Sequence, residues 1–203
     1  MSTAALHETV FDPVFDGQAL FRQVLEATAR PGSVLRMVAP PLAVPPARLR
    51  PACALLLAVL DVEVGLHALG PGAVDMAGYL CLNTGARLAP LEEADFVLVT
   101  TGDSGGRVRR IKRGSLEAPH EGATVLYAPD TLEAPPGPGT VGLSLSGPGI
   151  AGSARLGVAG ISSAEFAALQ ALVDYPMGVD IWLAAADGTL AVVPRSTQWT
   201  LRG

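Results

Sequence analysis

The sequence predicts an α/β layered fold, and three observations carry that expectation. Segments with helical apolar spacing alternate with short segments rich in β-branched residues. Most of the strand-like segments are apolar at consecutive positions, as in strands covered on both faces. A chain of 203 residues, 49% of them hydrophobic and with mean hydropathy +0.38, is long enough to fill one well-packed core. One domain over residues 1–203 is expected, with residues 1–12 as a flexible N-terminal segment.

Asp16 is placed to cap a first helix whose apolar positions Leu20, Phe21, Val24, Leu25 and Thr28 recur at helical spacing, and Pro31-Gly32 ends it. Arg22, Gln23 and Glu26 mark its outer face. Ser33 to Val38 reads as a strand and Pro40 to Pro46 as a connector. A buried helix from about Pro51 to Leu60 follows, with Pro51 in the first turn, where a missing amide costs nothing. Further strands are expected at Val62 to Leu66, Phe96 to Thr100, Thr124 to Tyr127, Val141 to Leu145, Val179 to Leu183 and Leu190 to Val193. Val74 to Leu82 and Ala164 to Val173 read as helices, the second opened by a capping box, Ser162-x-x-Glu165. Ala134 to Gly139 is a loop by composition.

Composition narrows the class of function. A net charge of −5 and a pI near 5.1 repel polyanions and speak against nucleic-acid binding, so any anionic ligand needs local groups. Only 16% of residues are charged, which leaves a weakly polar surface and favours burial in an oligomer or assembly. The longest aliphatic run, Ala52 to Leu60, is too short to span a bilayer, and the chain reads as cytoplasmic with no membrane partner. Cys53 and Cys81 sit in apolar surroundings without CxxC spacing, as expected of reduced, buried thiols; no metal site is expected.

Four segments carry candidate chemistry. Gly102-Asp103-Ser104-Gly105-Gly106 reproduces the string around the nucleophile of trypsin-like proteases, but only His7 and His67 lie upstream and the sequence makes a good turn. Arg107, Arg109, Arg110, Lys112 and Arg113 form a basic run suited either to a solvated face or to phosphate oxygens and acidic partners. Ser146-Gly147-Pro148-Gly149 leaves a strand, and its glycines admit either a tight turn or close approach of amides to an anion; no Gly-Lys-Ser ending follows, so it is not a P-loop. Asp180 and Arg195, with Ser196 and Thr197, suit either an ion pair or an anion site or subunit contact.

Several short strings then occur in a telling order: Phe21-Arg22, Ala29-Arg30-Pro31-Gly32, Leu145-Ser146-Gly147-Pro148-Gly149-Ile150, Tyr175-Pro176-Met177-Gly178-Val179-Asp180 and Val193-Pro194-Arg195-Ser196-Thr197. With Leu55-Leu56-Leu57, Glu93-Ala94-Asp95-Phe96 and Gly122-Ala123-Thr124 between them, the chain from Phe21 to Thr197 resembles the H-subunit family of the bacterial carbon-phosphorus lyase system. That family more often has Phe and Leu where this chain has Tyr175 and Met177. The resemblance implies a three-layer α/β/α fold with a central mixed sheet, similar to the large domain of pyridoxal-phosphate transferases but without that cofactor. Residues support the last point: the lone lysine, Lys112, lies in a basic run rather than a desolvated pocket.

It also implies a cytoplasmic homodimer that joins G-, I-, J- and L-type subunits, meeting ATP or alkylphosphonate through the complex. Together the G, H, I and L subunits attach an alkylphosphonate to C1 of the ribose of ATP, forming ribose 1-alkylphosphonate 5-triphosphate. No catalytic residue and no cofactor are expected. Arg22, Arg30, Ser146, Gly147, Gly149, Asp180, Arg195 and Thr197 become the candidates for ligand or subunit contact. Two other classes stay open: a free-standing small-anion binding protein or enzyme, and a regulatory dimer that borrows the fold.

Overall fold

A computed structural model describes Glu8 and residues 10–202. Four α-helices are present among these residues: α1 (Phe15–Ala29), α2 (Arg50–Val59), α3 (Ala73–Thr84) and α4 (Ser163–Gln170). The strands are β1 (Leu35–Arg36), β2 (Gly65–Leu69), β3 (Arg87–Leu88), β4 (Phe96–Val99), β5 (Thr124–Tyr127), β6 (Leu132–Glu133), β7 (Val141–Ser146), β8 (Ala154–Val158), β9 (Asp180–Ala184), β10 (Thr189–Val193) and β11 (Gln198–Arg202). They form a seven-stranded sheet in the order β1-β10-β9-β5-β4-β2-β3 and a four-stranded sheet in the order β11-β7-β8-β6. In the large sheet β3, β2, β4, β5 and β9 run parallel, while β10 runs antiparallel between β9 and β1, so the expected mixed sheet is present.

Strand periodicity divides the core in two. On β4, β5, β9 and β10 the residues Leu98, Leu126, Ala184, Leu190 and Val192 face α1, α2 and α3. Their neighbours Val97, Val125, Tyr127, Ile181, Leu183 and Val193 face the other way. Both sets are apolar because both faces are covered, which accounts for the continuous apolar runs in the sequence.

The second face is covered differently from the first. Alongside α4, its cover is the small antiparallel sheet, through Leu143, Leu145, Leu156, Val158 and Trp199. The strands β8 and β11 were missed because their outer positions are polar or glycine: Arg155 and Gly157 on one, Gln198, Thr200 and Arg202 on the other. A half-exposed strand carries a weaker apolar signal than a buried one. Phe166 of α4 meets Trp199 edge to face, with ring centroids 5.9 Å apart.

Local chemistry explains the other differences from expectation. Asp12, ahead of α1, caps it: Oδ1 accepts from the amides of Val14 (2.8 Å) and Phe15 (2.9 Å), while Asp16 turns back to the Asp12 amide. Only part of the expected apolar stripe of α1 is buried. Gly17, Leu20, Val24 and Ala27 point inward, while Phe21 and Leu25 point outward. At α4 the capping box is half made: Ser162 Oγ accepts from the Glu165 amide (3.1 Å), but the Glu165 carboxylate turns into the protein instead of back to Ser162. The strand expected at Val62 begins at Gly65, since residues 62 and 63 form a turn pinned by Asp61, which accepts from the Glu63 amide (2.9 Å). Most of the segment expected to be flexible lies outside the described residues. Glu8 within it is buried and accepts from the Tyr79 hydroxyl (3.0 Å) and the Ala43 amide (3.1 Å).

At the leading ends of β2 and β4, Asp95 accepts from the Gly65 amide (2.6 Å), pairs with Lys112 and lies 3.7 Å from Arg87. Partial burial opposes its ionisation. The hydrogen bonds from Lys112 and Gly65 and the charges of Lys112 and Arg87 outweigh that, and hold the carboxyl below the ordinary 3.8. Its stabilising contribution is therefore present above pH 3.8 and lost as the pH falls through the depressed value. Asp95→Asn is expected to flatten the decline of Tm below about pH 4, measured by thermal unfolding across an acid series. Phe166→Ala is expected to lower stability by about 3–5 kcal/mol in urea titrations, since it empties the contact between α4 and the small sheet.

Candidate functional site

Three of the family-like strings and the end of β10 meet in one region. Arg195, just past β10, donates from its backbone amide to Asp180 Oδ1 (2.8 Å) and from Nε to both Asp180 oxygens (3.3 and 3.2 Å). Nη2 donates to Asp180 Oδ2 (2.5 Å) and to the Gly122 carbonyl (3.0 Å), and Nη1 to the Pro119 carbonyl. Of the two readings, the ion pair is thus the one the geometry displays. The Arg195 side chain is only 15% exposed, so these acceptors replace water that burial removes.

The surrounding glycines make room for this arrangement. A Cβ at Gly122 would collide with the Gly178 carbonyl and the Arg195 guanidinium, and one at Gly178 would stand 3.2 Å from Arg195 Cβ. Gly178 also donates to the Arg113 carbonyl (2.9 Å), which ties the end of the basic run to the start of β9.

The loop Ser146 to Gly149 is a tight turn closed by the Ile150 amide on the Gly147 carbonyl (3.2 Å). It wedges between two other strings. A Cβ at Gly149 would collide with the Ala29 carbonyl, and one at Gly147 would lie 3.1 Å from the Ser196 carbonyl. The glycines of this loop thus serve backbone-to-backbone approach.

Beside this junction lies an open cavity of about 450 Å³ whose wall includes Pro148, Val173, Tyr175, Arg195, Thr197 and Trp199. Thr197 is 1% exposed, and its Oγ1 has no hydrogen-bond partner among the described residues. Gln170 Nε2 donates to the Trp199 carbonyl (2.6 Å) and closes one side. Sequence reasoning found Arg195, Thr197 and the Pro148 loop. It did not single out Val173, read as the last residue of a helix, or Trp199.

The remaining candidates lie elsewhere. Arg22 is on the exposed face of α1, and Arg30 pairs with Glu26 (3.2 Å) in a solvated i,i+4 contact; neither lines the cavity. The basic run is a short 3-10 turn, Arg107–Arg110, and its continuation. Arg107 donates to the Ser104 carbonyl (3.1 Å), Arg110 pairs with Glu92 and Lys112 with Asp95.

The protease-like string is structural. Ser104 is buried, and its Oγ accepts from the Val108 amide (3.2 Å). Its own amide donates to Glu165 Oε1 (3.1 Å), which also takes the Tyr127 hydroxyl (2.6 Å). Burial first, and then the Glu165 charge and hydrogen bond, push the Tyr127 hydroxyl well above its ordinary range. His67 bonds the Ala89 carbonyl instead (2.9 Å), and His7 lies outside the described residues.

Cys53 is buried and free, with a thiol that burial pushes up to about 12; Cys81 is free and half-buried. Among the described residues no group of three or more His, Cys, Asp or Glu side chains is arranged to hold a metal ion. Among the described residues no helix is long and apolar enough to cross a membrane.

Sequence comparison places this geometry in a known family. The sequence model of the family described as "Bacterial phosphonate metabolism protein (PhnH)" matches residues 9–200. The chain belongs to the PhnH family. It is also 29% identical over 195 residues to the alpha-D-ribose 1-methylphosphonate 5-triphosphate synthase subunit PhnH of Rhizobium meliloti (strain 1021), across 92% of each chain. The PhnH match takes in α1 through β10, the first part of β11 and all of the converging strings, so the resemblance read from them is upheld.

Arg195→Met leaves Asp180 with only the backbone amide of residue 195 as donor, removes the guanidinium from the Pro119 and Gly122 carbonyls, and is expected to cost about 2–3 kcal/mol. Arg30→Met is expected to change stability by less than about 0.5 kcal/mol. Paired urea unfolding curves of the two variants measure the contrast.

Proposed function

We propose that this chain is a non-catalytic or co-catalytic subunit of a synthase that forms ribose 1-alkylphosphonate 5-triphosphate from ATP and alkylphosphonate. The observation that carries the reading is the end-to-end match to a family one of whose members is named as a subunit of such a synthase. In this reading the chain is a cytoplasmic single domain that pairs with itself, docks on G-, I-, J- and L-type subunits and needs no cofactor of its own. Its three layers are those of the large domain of pyridoxal-phosphate transferases, with the small sheet in place of part of one helical layer.

The outer face of α1 supports a docking role. Phe15, Phe21 and Leu25 are 76%, 48% and 51% exposed and lie on the side opposite the buried stripe, with Arg22 among them. Apolar side chains grouped this way on a weakly charged chain suit burial against a partner.

A second reading is favoured by one observation: the unpartnered Thr197 hydroxyl on the wall of the 450 Å³ cavity suits a small polar ligand, as a free-standing binding protein would require.

Co-expression of the tagged chain with the other subunits, followed by affinity purification and native mass spectrometry, tests the main reading. A multi-subunit complex containing this chain is the expected result, and it is lost in Phe15→Glu/Leu25→Glu while the Tm of the isolated variant is unchanged. Recovery of the chain without partners would contradict the subunit role.

A further inference from the structure

The solvent-facing side of the small sheet carries a feature that the assembly role does not use. On this side Arg155 of β8 stands opposite Ser144 of β7, and Arg202 of β11 stands opposite Gly142 of the same strand. The two arginines therefore flank β7 from either side, offset by one pair of residues. With strands about 4.8 Å apart and a rise of about 3.4 Å per residue, their Cα atoms are roughly 12 Å apart. Two extended guanidinium side chains span that distance to meet on one ligand between them.

The floor between them is open because Gly142 has no side chain. The loop through Pro136, Gly137 and Thr140 rises beside it, and a Cβ at Gly157 would stand 2.7 Å from both Pro136 Cα and Thr140 Oγ1. The result is a groove of about 340 Å³ whose charged lining residues are Arg155 and Arg202. Neither arginine forms an ion pair among the described residues; the sole polar contact of the two is a long one from Arg202 Nη2 to Ser144 Oγ (3.5 Å). They share the lack of an ion pair with Arg22, Arg36, Arg48, Arg50, Arg107, Arg109 and Arg113, and what sets them apart is that both line one groove in which no carboxylate takes part. Glu133, packed against Gly137, is the carboxylate nearest the rim of the groove on that loop, and it too makes no ion pair.

We propose that this groove binds a phosphoryl or phosphonyl group held between Arg155 and Arg202. Two guanidinium forks supply two positive charges and paired N–H donors, which match a tetrahedral dianion better than a single carboxylate. The glycine floor lets the oxygens sit close to β7, beside the Ser144 hydroxyl. The group is supplied either by a small phosphonate or by the phosphate chain of a nucleotide. The inference goes beyond the assembly role proposed above and does not depend on it, nor does it involve the cavity at Thr197, which lies at the other end of β11.

Residue-resolved NMR titration of the isolated full chain tests it, with methylphosphonate, ATP and acetate as separate probes. Shifts centred on Thr140, Gly142, Ser144, Arg155 and Arg202 are expected with methylphosphonate, with ATP or with both, and which of the two binds more tightly identifies the source of the group. Acetate is expected to bind more weakly than either. Arg155→Ala and Arg202→Ala should each raise Kd about tenfold, whereas Glu133→Gln should lower it, because it removes a negative charge at the rim. Both arginines are exposed, so their loss should leave the circular dichroism spectrum unchanged. Shifts confined to the Thr197 cavity, the absence of shifts with either phosphorus anion, or an unchanged Kd in the Arg155→Ala/Arg202→Ala variant would overturn the proposal.

Discussion

The contact on which the rest of this structure depends is the multidentate bond from Arg195 to Asp180 and to the carbonyls of Pro119 and Gly122. It joins the start of β9, the end of β10 and the turn ahead of β5, three points far apart in sequence. A partly buried guanidinium is costly unless its donors are met, and here one carboxylate and two carbonyls meet them. The requirement is mutual, because Asp180 and the Gly122 carbonyl take donors from the same guanidinium at the edge of the core.

From this hub the glycines follow as steric necessities. Gly122 lies against the guanidinium and the Gly178 carbonyl, Gly178 lies against Arg195 Cβ, and Gly147 and Gly149 let the β7–β8 turn pack between Ala29 and Ser196. Gly32 belongs to the same set, since a Cβ there would stand 2.8 Å from Leu145 Cδ1. The strings at Ala29 to Gly32, Gly122 to Thr124, Leu145 to Ile150, Tyr175 to Asp180 and Val193 to Thr197 thus form one junction between the large sheet, α1 and the small sheet, while Phe21-Arg22 lies on the outer face of α1 and Leu55 to Leu57 lie inside α2. The cavity at Thr197 is walled in part by this junction, through Pro148, Tyr175, Arg195 and Thr197.

Much of this was legible beforehand where burial left a periodic or compositional trace. The runs at Phe96 and Thr124, Pro51 in the first turn of α2 and Ser162 at the start of α4 all reported their roles directly. Strands β8 and β11 did not, because Arg155, Gly157, Thr200 and Arg202 interrupt the apolar pattern on a face that looks to solvent. The partition of α1 into buried and exposed apolar stripes was equally hidden, since Leu20 and Phe21 are alike by type and only packing separates them. For the site, Asp180 and Arg195 were visible as charges set into apolar strands. That they choose each other, with Pro119 and Gly122 as further acceptors, depends on a turn some sixty to seventy-five residues earlier in the chain, which periodicity cannot see.

The most direct measurement is native-state hydrogen exchange on the wild type and on Asp180→Ala. If the Arg195 contact organises the junction, the amides of Gly178, Ala123, Ile150 and Thr197 lose protection together in the variant, while those of α3 and β2 keep theirs. Loss confined to Arg195 itself, with Ile150 and Thr197 still protected as in the wild type, would contradict the account and reduce the contact to a local ion pair.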